Sequence, residues 1–121
     1  MGLDMYAFAT DSDISQIDFD FPEDARQIHY WRKHPNLHGW MENLYREKGG
    51  AEDNFNCDTV RLDAADLDAL EQAVTYGVLP HTTGPFFGES DGTERADDLA
   101  FIHKARAEIA NGRRVYYTSW W

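Results

Sequence analysis

Between Pro35 and Gly49 the chain places Leu37, Trp40, Met41, Leu44 and Tyr45 at i, i+3, i+4, i+7 and i+8. Large apolar side chains at that spacing form one stripe along a helix and leave its other side polar. Such a helix cannot cover its stripe alone and has to lie on another layer. The rest of the sequence supplies that layer in short pieces. Residues 3–9 (LDMYAFA) are long enough for one strand, and residues 26–31 (RQIHYW) suit a second. Asp58 to Leu62 (DTVRL) suits a third, and residues 113–120 (RRVYYTSW) alternate and are rich in β-formers.

Punctuation sets the other helices. Pro35 belongs in a first helical turn and Gly49-Gly50 stops that helix. Asp63 with Asp66 signals a second helix start, Asp being a weaker partner there than Glu. Leu67, Leu70, Val74 and Val78 form its stripe, and Gly77 and Pro80 end it. A third helix runs from about Arg95 to Asn111 with Leu99, Ile102, Ala105 and Ile109 inward, and Gly112 is its left-handed stop. The order strand, strand, helix, strand, helix, helix, strand predicts an α+β protein. About three helices pack on one face of a small, mainly antiparallel sheet. A chain of 121 residues is one domain, residues 1–121, with one core.

Charge narrows the partners. Asp and Glu number 22 against 11 Lys and Arg, a net charge of −11. Nucleic acid and anionic lipid repel such a chain, so neither direct nucleic-acid binding nor a membrane partner is expected. No apolar run approaches the roughly 20 residues of a membrane span, and the N-terminus lacks the basic and apolar stretches of a signal peptide. A cytoplasmic protein is therefore expected. The single cysteine excludes an internal disulfide and a thiolate-rich metal cluster. Asp11, Asp13, Asp18 and Asp20 miss the calcium-loop pattern: Gln16 stands where the turn glycine belongs and Pro22 where the last glutamate belongs. They read as a solvated loop. No metal or cofactor is expected.

Several dense clusters carry candidate chemistry, each beside a plainer alternative. His29, His34 and His38 fall within ten residues but lack metal-ligand spacing, and His38 reads as packing beside Leu37 and Trp40 with a bond to a backbone group. Tyr30, Trp31, Arg32 and Lys33 precede a helix N-terminus, where an anion is favoured. Either Arg32 holds that anion with Trp31 or Tyr30 stacking, or Arg32 pairs with a carboxylate and Trp31 joins the core. Cys57 is a nucleophile only beside a base such as His38 or His81, and otherwise a small buried apolar residue. Phe86 and Phe87, between Gly84 and Gly88, either plug the core or form an exposed patch. In the last strand, alternation sends Val115, Tyr117, Ser119 and Trp121 to one face. Arg114, Tyr116, Thr118 and Trp120 go to the other, which leaves large aromatics near solvent, as at an interface.

Read together, these segments resemble a known family. They are the opening Gly2-Leu3-Asp4-Met5-Tyr6, then Tyr30-Trp31-Arg32-Lys33 followed by Leu37-His38-Gly39-Trp40. Asp53 and Cys57 ahead of a strand, Leu79-Pro80, Gly84-Pro85-Phe86-Phe87-Gly88 and Tyr116-Tyr117-Thr118-Ser119-Trp120 complete the pattern. In this order, and over nearly the whole chain, they resemble a family of small proteins encoded mostly by bacteriophages and prophages. Pro35 stands where that family has a small polar residue, Leu37 where it has isoleucine, and Pro85 where it has the first aromatic of its run. Some members carry a phosphoglycerate kinase label. This chain is too short for a two-domain kinase and has no glycine-rich phosphate loop followed by Lys-Ser or Lys-Thr. The resemblance implies a phage or prophage origin, hence the cytoplasm of a bacterial host, and no established activity.

Two functions from different classes follow. The leading expectation is an acidic accessory protein that docks on a host or phage protein, inhibition of a host nuclease or defence complex being one form. Its acid lies in Asp11 to Asp24, Asp63 to Glu71 and Glu89 to Asp98. On one face at phosphate-like spacing it would mimic DNA. The rival is a small enzyme or ligand-binding protein whose pocket gathers Trp31, Arg32, His38, Cys57, Phe86 and Phe87. A homodimeric scaffold is the third.

Overall fold

A computed structural model describes residues 2–121. The elements are β1 (Asp4–Thr10), β2 (Arg26–Arg32), α1 (Pro35–Glu47), β3 (Thr59–Leu62), α2 (Ala64–Thr75), α3 (Arg95–Ala110) and β4 (Arg114–Trp120). This is the α+β order that the periodicities predict. The strands form one sheet in the order β2-β1-β4-β3, every neighbouring pair antiparallel.

All three helices stop by the same device. Gly49, Gly77 and Gly112 each follow a helix with φ of 103°, 65° and 84°. The next residue's N–H reaches back over the last turn: Gly50 to Tyr45 O at 2.9 Å, Val78 to Ala73 O at 2.9 Å, Arg113 to Glu108 O at 3.0 Å. Only glycine takes that left-handed position without a Cβ penalty. The same stop corrects the expected stripe of α2. That helix ends at Thr75, so Val78 lies beyond the turn and is exposed. Its start is a complete capping box, Asp66 N–H to Asp63 Oδ1 at 2.9 Å and Asp63 N–H to Asp66 Oδ2 at 3.0 Å.

Register assigns the two sheet faces. Met5 stands opposite Trp31 and Ser119, and Ala7 opposite His29 and Tyr117. Because side chains alternate, Met5, Ala7, His29, Trp31, Val60, Val115 and Tyr117 share the inner face with the buried sides of the helices. Asp4, Tyr6, Phe8, Tyr30, Arg32, Tyr116, Thr118 and Trp120 share the outer one.

The segment between β1 and β2 turns the free edge of β3 into a covered one. Ile17 bridges to Val60, Arg61 N–H donates to Gln16 O at 2.8 Å, and Asp18 N–H donates to Thr59 O at 3.2 Å. The same segment corrects the expectation for Tyr116. Phe19 meets its ring edge-on at 5.0 Å, Phe8 stacks on it at 5.4 Å and Phe21 at 6.3 Å. Tyr116 is therefore buried, and burial raises its hydroxyl pKa to about 12. Trp120, on the same face, is 68% exposed.

Candidate functional site

What remains open on the outer face is an aromatic groove. Tyr6, Phe8, Phe21, Cys57, Thr118 and Trp120 line a cavity of about 180 Å³. Tyr6 lies 6.2 Å from Phe8 and 5.3 Å from Tyr30, so the rings run from the β2 edge towards β4. Phe21 is 59% exposed and Tyr30 43%. The hydroxyl of Thr118 is buried in this groove and has no hydrogen-bond partner among the described residues. An orphaned buried hydroxyl costs free energy.

Cys57 stands at the rim and is exposed, which corrects its reading as a small buried residue. Its φ of 64° is left-handed, and its N–H donates to Ser119 O at 2.8 Å. The turn ties the backbone to β4 while leaving the thiol outside the core.

At one end of the face, Asp4 accepts from Arg32 Nη1 at 2.8 Å and from the Tyr30 hydroxyl. The Tyr30 hydrogen bond, with Arg32 beside it, holds the Asp4 carboxyl below its ordinary value. Lys33 leaves the strand through a left-handed turn with φ of 56°, its N–H bonded to Leu3 O at 2.8 Å.

The inner side holds a different aromatic cluster. His38 is buried, with Phe55 at 5.1 Å, Phe87 at 5.4 Å and Trp121 at 6.4 Å between ring centres. Its Nδ1 lies 2.6 Å from the Tyr117 hydroxyl, so its partner is a side chain and not the backbone group expected from sequence. Burial lowers the His38 pKa to about 4 and pushes Tyr117 well above its ordinary value. Gly39, one residue on, lets the loop approach: a Cβ there would collide with the Thr82 side chain.

Phe86 and Phe87 part company. Phe87 N–H donates to Gly84 O at 3.2 Å, closing a turn whose second residue is Pro85 and whose third, Phe86, has φ of 58°. A proline followed by a positive φ is the type II pattern. The turn sends Phe87 into the core and leaves Phe86 exposed.

The sequence-selected residues thus fall on two sides of the sheet. Tyr30, Arg32, Cys57, Tyr116 and Trp120 belong to the outer side, while Trp31, His38 and Phe87 belong to the inner one. Trp31 and Arg32 are neighbours in sequence and opposite in space, because the pleat alternates. Of the six residues of the expected pocket, His38 and Phe87 line one cavity and Cys57 another on the opposite side of the sheet.

A third cluster has no counterpart in the sequence reading. Asp98 is 2% exposed and accepts from Trp31 Nε1 at 3.1 Å. His34 Nε2 lies 2.8 Å from its other oxygen, and His34 Nδ1 lies 2.6 Å from Ser90 Oγ. One signal was available: Asp98, Phe101, Ile102 and Ala105 share one face of α3, so a carboxylate occupies a core position.

The three N-terminal histidines have separate partners. His29 meets Asp97 and Lys104, His34 meets Asp98 and Ser90, and His38 meets Tyr117. No group of three or more His, Cys, Asp or Glu side chains among the described residues is arranged to hold a metal ion. Cations engage two of the acidic stretches: Arg113 and Arg114 reach Asp11 and Asp13, and Lys48 and Arg106 reach Asp66, Asp68 and Glu71; in the third, His29 Nε2 lies 3.1 Å from Asp97. No described helix is long and apolar enough to cross a membrane. Compared with protein-family models, curated proteins and solved structures, the chain matches none.

Proposed function

We propose that this chain is a phage-derived accessory protein that acts by binding another protein through the outer face of its sheet. The observation that carries the reading is the apolar aromatic groove beside the exposed Trp120, open to solvent. Exposed tyrosine and tryptophan around a small apolar cavity are the anchor types of protein interfaces. The partner carries an apolar side chain for the groove and basic residues around it. Exposed Asp20 and Glu23 flank Phe21, and the whole chain has a net charge of −11. A host nuclease or a DNA-engaging defence complex offers such a basic surface, and occupying it inhibits that enzyme.

The test is capture from nuclease-treated host lysate with three baits: the wild type, Trp120→Asp on the groove, and Val78→Ala on the helical side. One partner held by the wild type and Val78→Ala, released by salt, and lost with Trp120→Asp supports the reading. A partner indifferent to Trp120→Asp overturns it, as does an empty capture. A dimer in light scattering that Trp120→Asp dissolves assigns the groove to a second copy and overturns a heterologous partner.

A further inference from the structure

We propose that Ser90, His34 and Asp98 form a nucleophilic serine site for a small acyl ester, separate from the docking face. With the imidazole neutral, the hydrogen bonds give each proton a direction. The Trp31 indole N–H can only donate, and it takes one Asp98 oxygen at 3.1 Å. The other Asp98 oxygen, at 2.8 Å, takes the proton on His34 Nε2. His34 Nδ1 then carries a lone pair 2.6 Å from Ser90 Oγ. The Asn36 backbone N–H donates to that same Oγ at 3.1 Å, so the serine's own proton points to His34. Asp98 and His34 are both buried, which fixes the imidazole between its two partners. A base oriented by a buried carboxylate and facing a hydroxyl is the arrangement that activates serine, and either imidazole nitrogen serves once the other is bonded.

The cluster opens on a cleft of about 160 Å³, whose lining includes His34, Ser90, Val74, Leu79, Glu94 and Arg95. Val74 and Leu79 supply an apolar wall for a short acyl chain. Among the described residues Arg95 is the one cation lining the cleft and would face the oxyanion, with the Glu94 carboxylate on the same wall; the Asn36 N–H is already given to Ser90 Oγ. Ser90 Oγ attacks the ester carbonyl carbon while its proton passes to His34 Nδ1. The tetrahedral adduct collapses, the ester C–O bond breaks, and the leaving alkoxide takes the proton from His34. Water then attacks the acyl-serine with His34 again as base, releasing the carboxylic acid and restoring Ser90. No other reactant is needed.

The test is labelling with a fluorophosphonate probe, with the modified residue located by mass spectrometry, alongside p-nitrophenyl acetate hydrolysis. The proteins are the wild type, Ser90→Ala and His34→Gln, with thermal melting to confirm that each is folded. Covalent label on Ser90, with labelling and hydrolysis about 10²-fold or more slower in folded His34→Gln, is the expected result. Folded wild type with unlabelled Ser90, or equal labelling in folded His34→Gln, overturns the proposal and leaves Ser90 as a cap on α1. Should His34→Gln not fold, absence of a label from wild-type Ser90 still overturns it. Hydrolysis that persists in Ser90→Ala does so too. None of these readouts requires the docked partner.

Discussion

The two faces of the one sheet carry similar residues and end in different states. Inside, Trp31 meets Phe101 at 4.8 Å, Phe55 meets Tyr117 at 5.9 Å, and Trp31 Nε1 and His38 Nδ1 have partners in Asp98 and Tyr117. Outside, Tyr6, Phe8 and Tyr30 form a comparable row of rings, yet Trp120 stays exposed; a buried hydroxyl without a partner among the described residues occurs on each face, Thr118 outside and Ser119 inside. The composition is nearly matched; the cover is not. Helices cover the inner face, whereas a loop covers only the Tyr116 end of the outer one. An aromatic row is a core or a docking surface according to the layer placed over it.

The largest expected effect tests that contrast directly. Phe101→Ala, at a fully buried ring, loses about 3–5 kcal/mol in urea denaturation. Trp120→Ala, at an exposed one, stays within about 0.5 kcal/mol. Comparable losses at both positions would erase the distinction between the faces.

Next comes pH. The folded pKa of His38 lies at about 4, below its ordinary 6.5, so the unfolded chain takes up this proton first as pH falls. Its contribution is complete above about pH 6.5, shrinks through the window down to about pH 4, and changes no further below that. The loss is about 3 kcal/mol. His38→Asn, whose amide stands where Nδ1 does, should flatten that part of the profile relative to wild type. Parallel profiles for the two proteins would show that His38 titrates as if exposed.

The smallest effect concerns the loop that joins the inner side. Phe86 pays for its positive φ without burying its ring. Phe86→Gly should therefore stabilise the protein by about 0.5–1 kcal/mol in thermal or urea unfolding, after allowing for the extra freedom of glycine in the unfolded chain. A loss instead would mean that the exposed ring packs on its surroundings in solution.

Much of the fold was legible because its signals are local. The stripe at Leu37, Met41, Leu44 and Tyr45 is buried, and Gly49, Gly77 and Gly112 end helices where a left-handed residue is needed. The candidate site was legible in residue type and less so in grouping. Trp31 and Arg32 looked like one cluster because they are adjacent, and the pleat separates them. Asp98 was overlooked because an acidic residue near a helix start reads as an ordinary dipole partner, while its real neighbours, His34 and Trp31, are more than sixty residues away in sequence.

The sequence by itself determined the elements, their order and the alternation that divides each strand between two faces, since periodicity, capping and glycine stops act over a few residues. Only the tertiary structure decided that residues 14–21 would cover Tyr116 and spare Trp120. It also decided that Cys57 would sit at a groove rim and that Ser90 would meet His34. Those outcomes depend on which distant segments close over which face. Burial free energy is summed over the whole molecule and is not written at any one position.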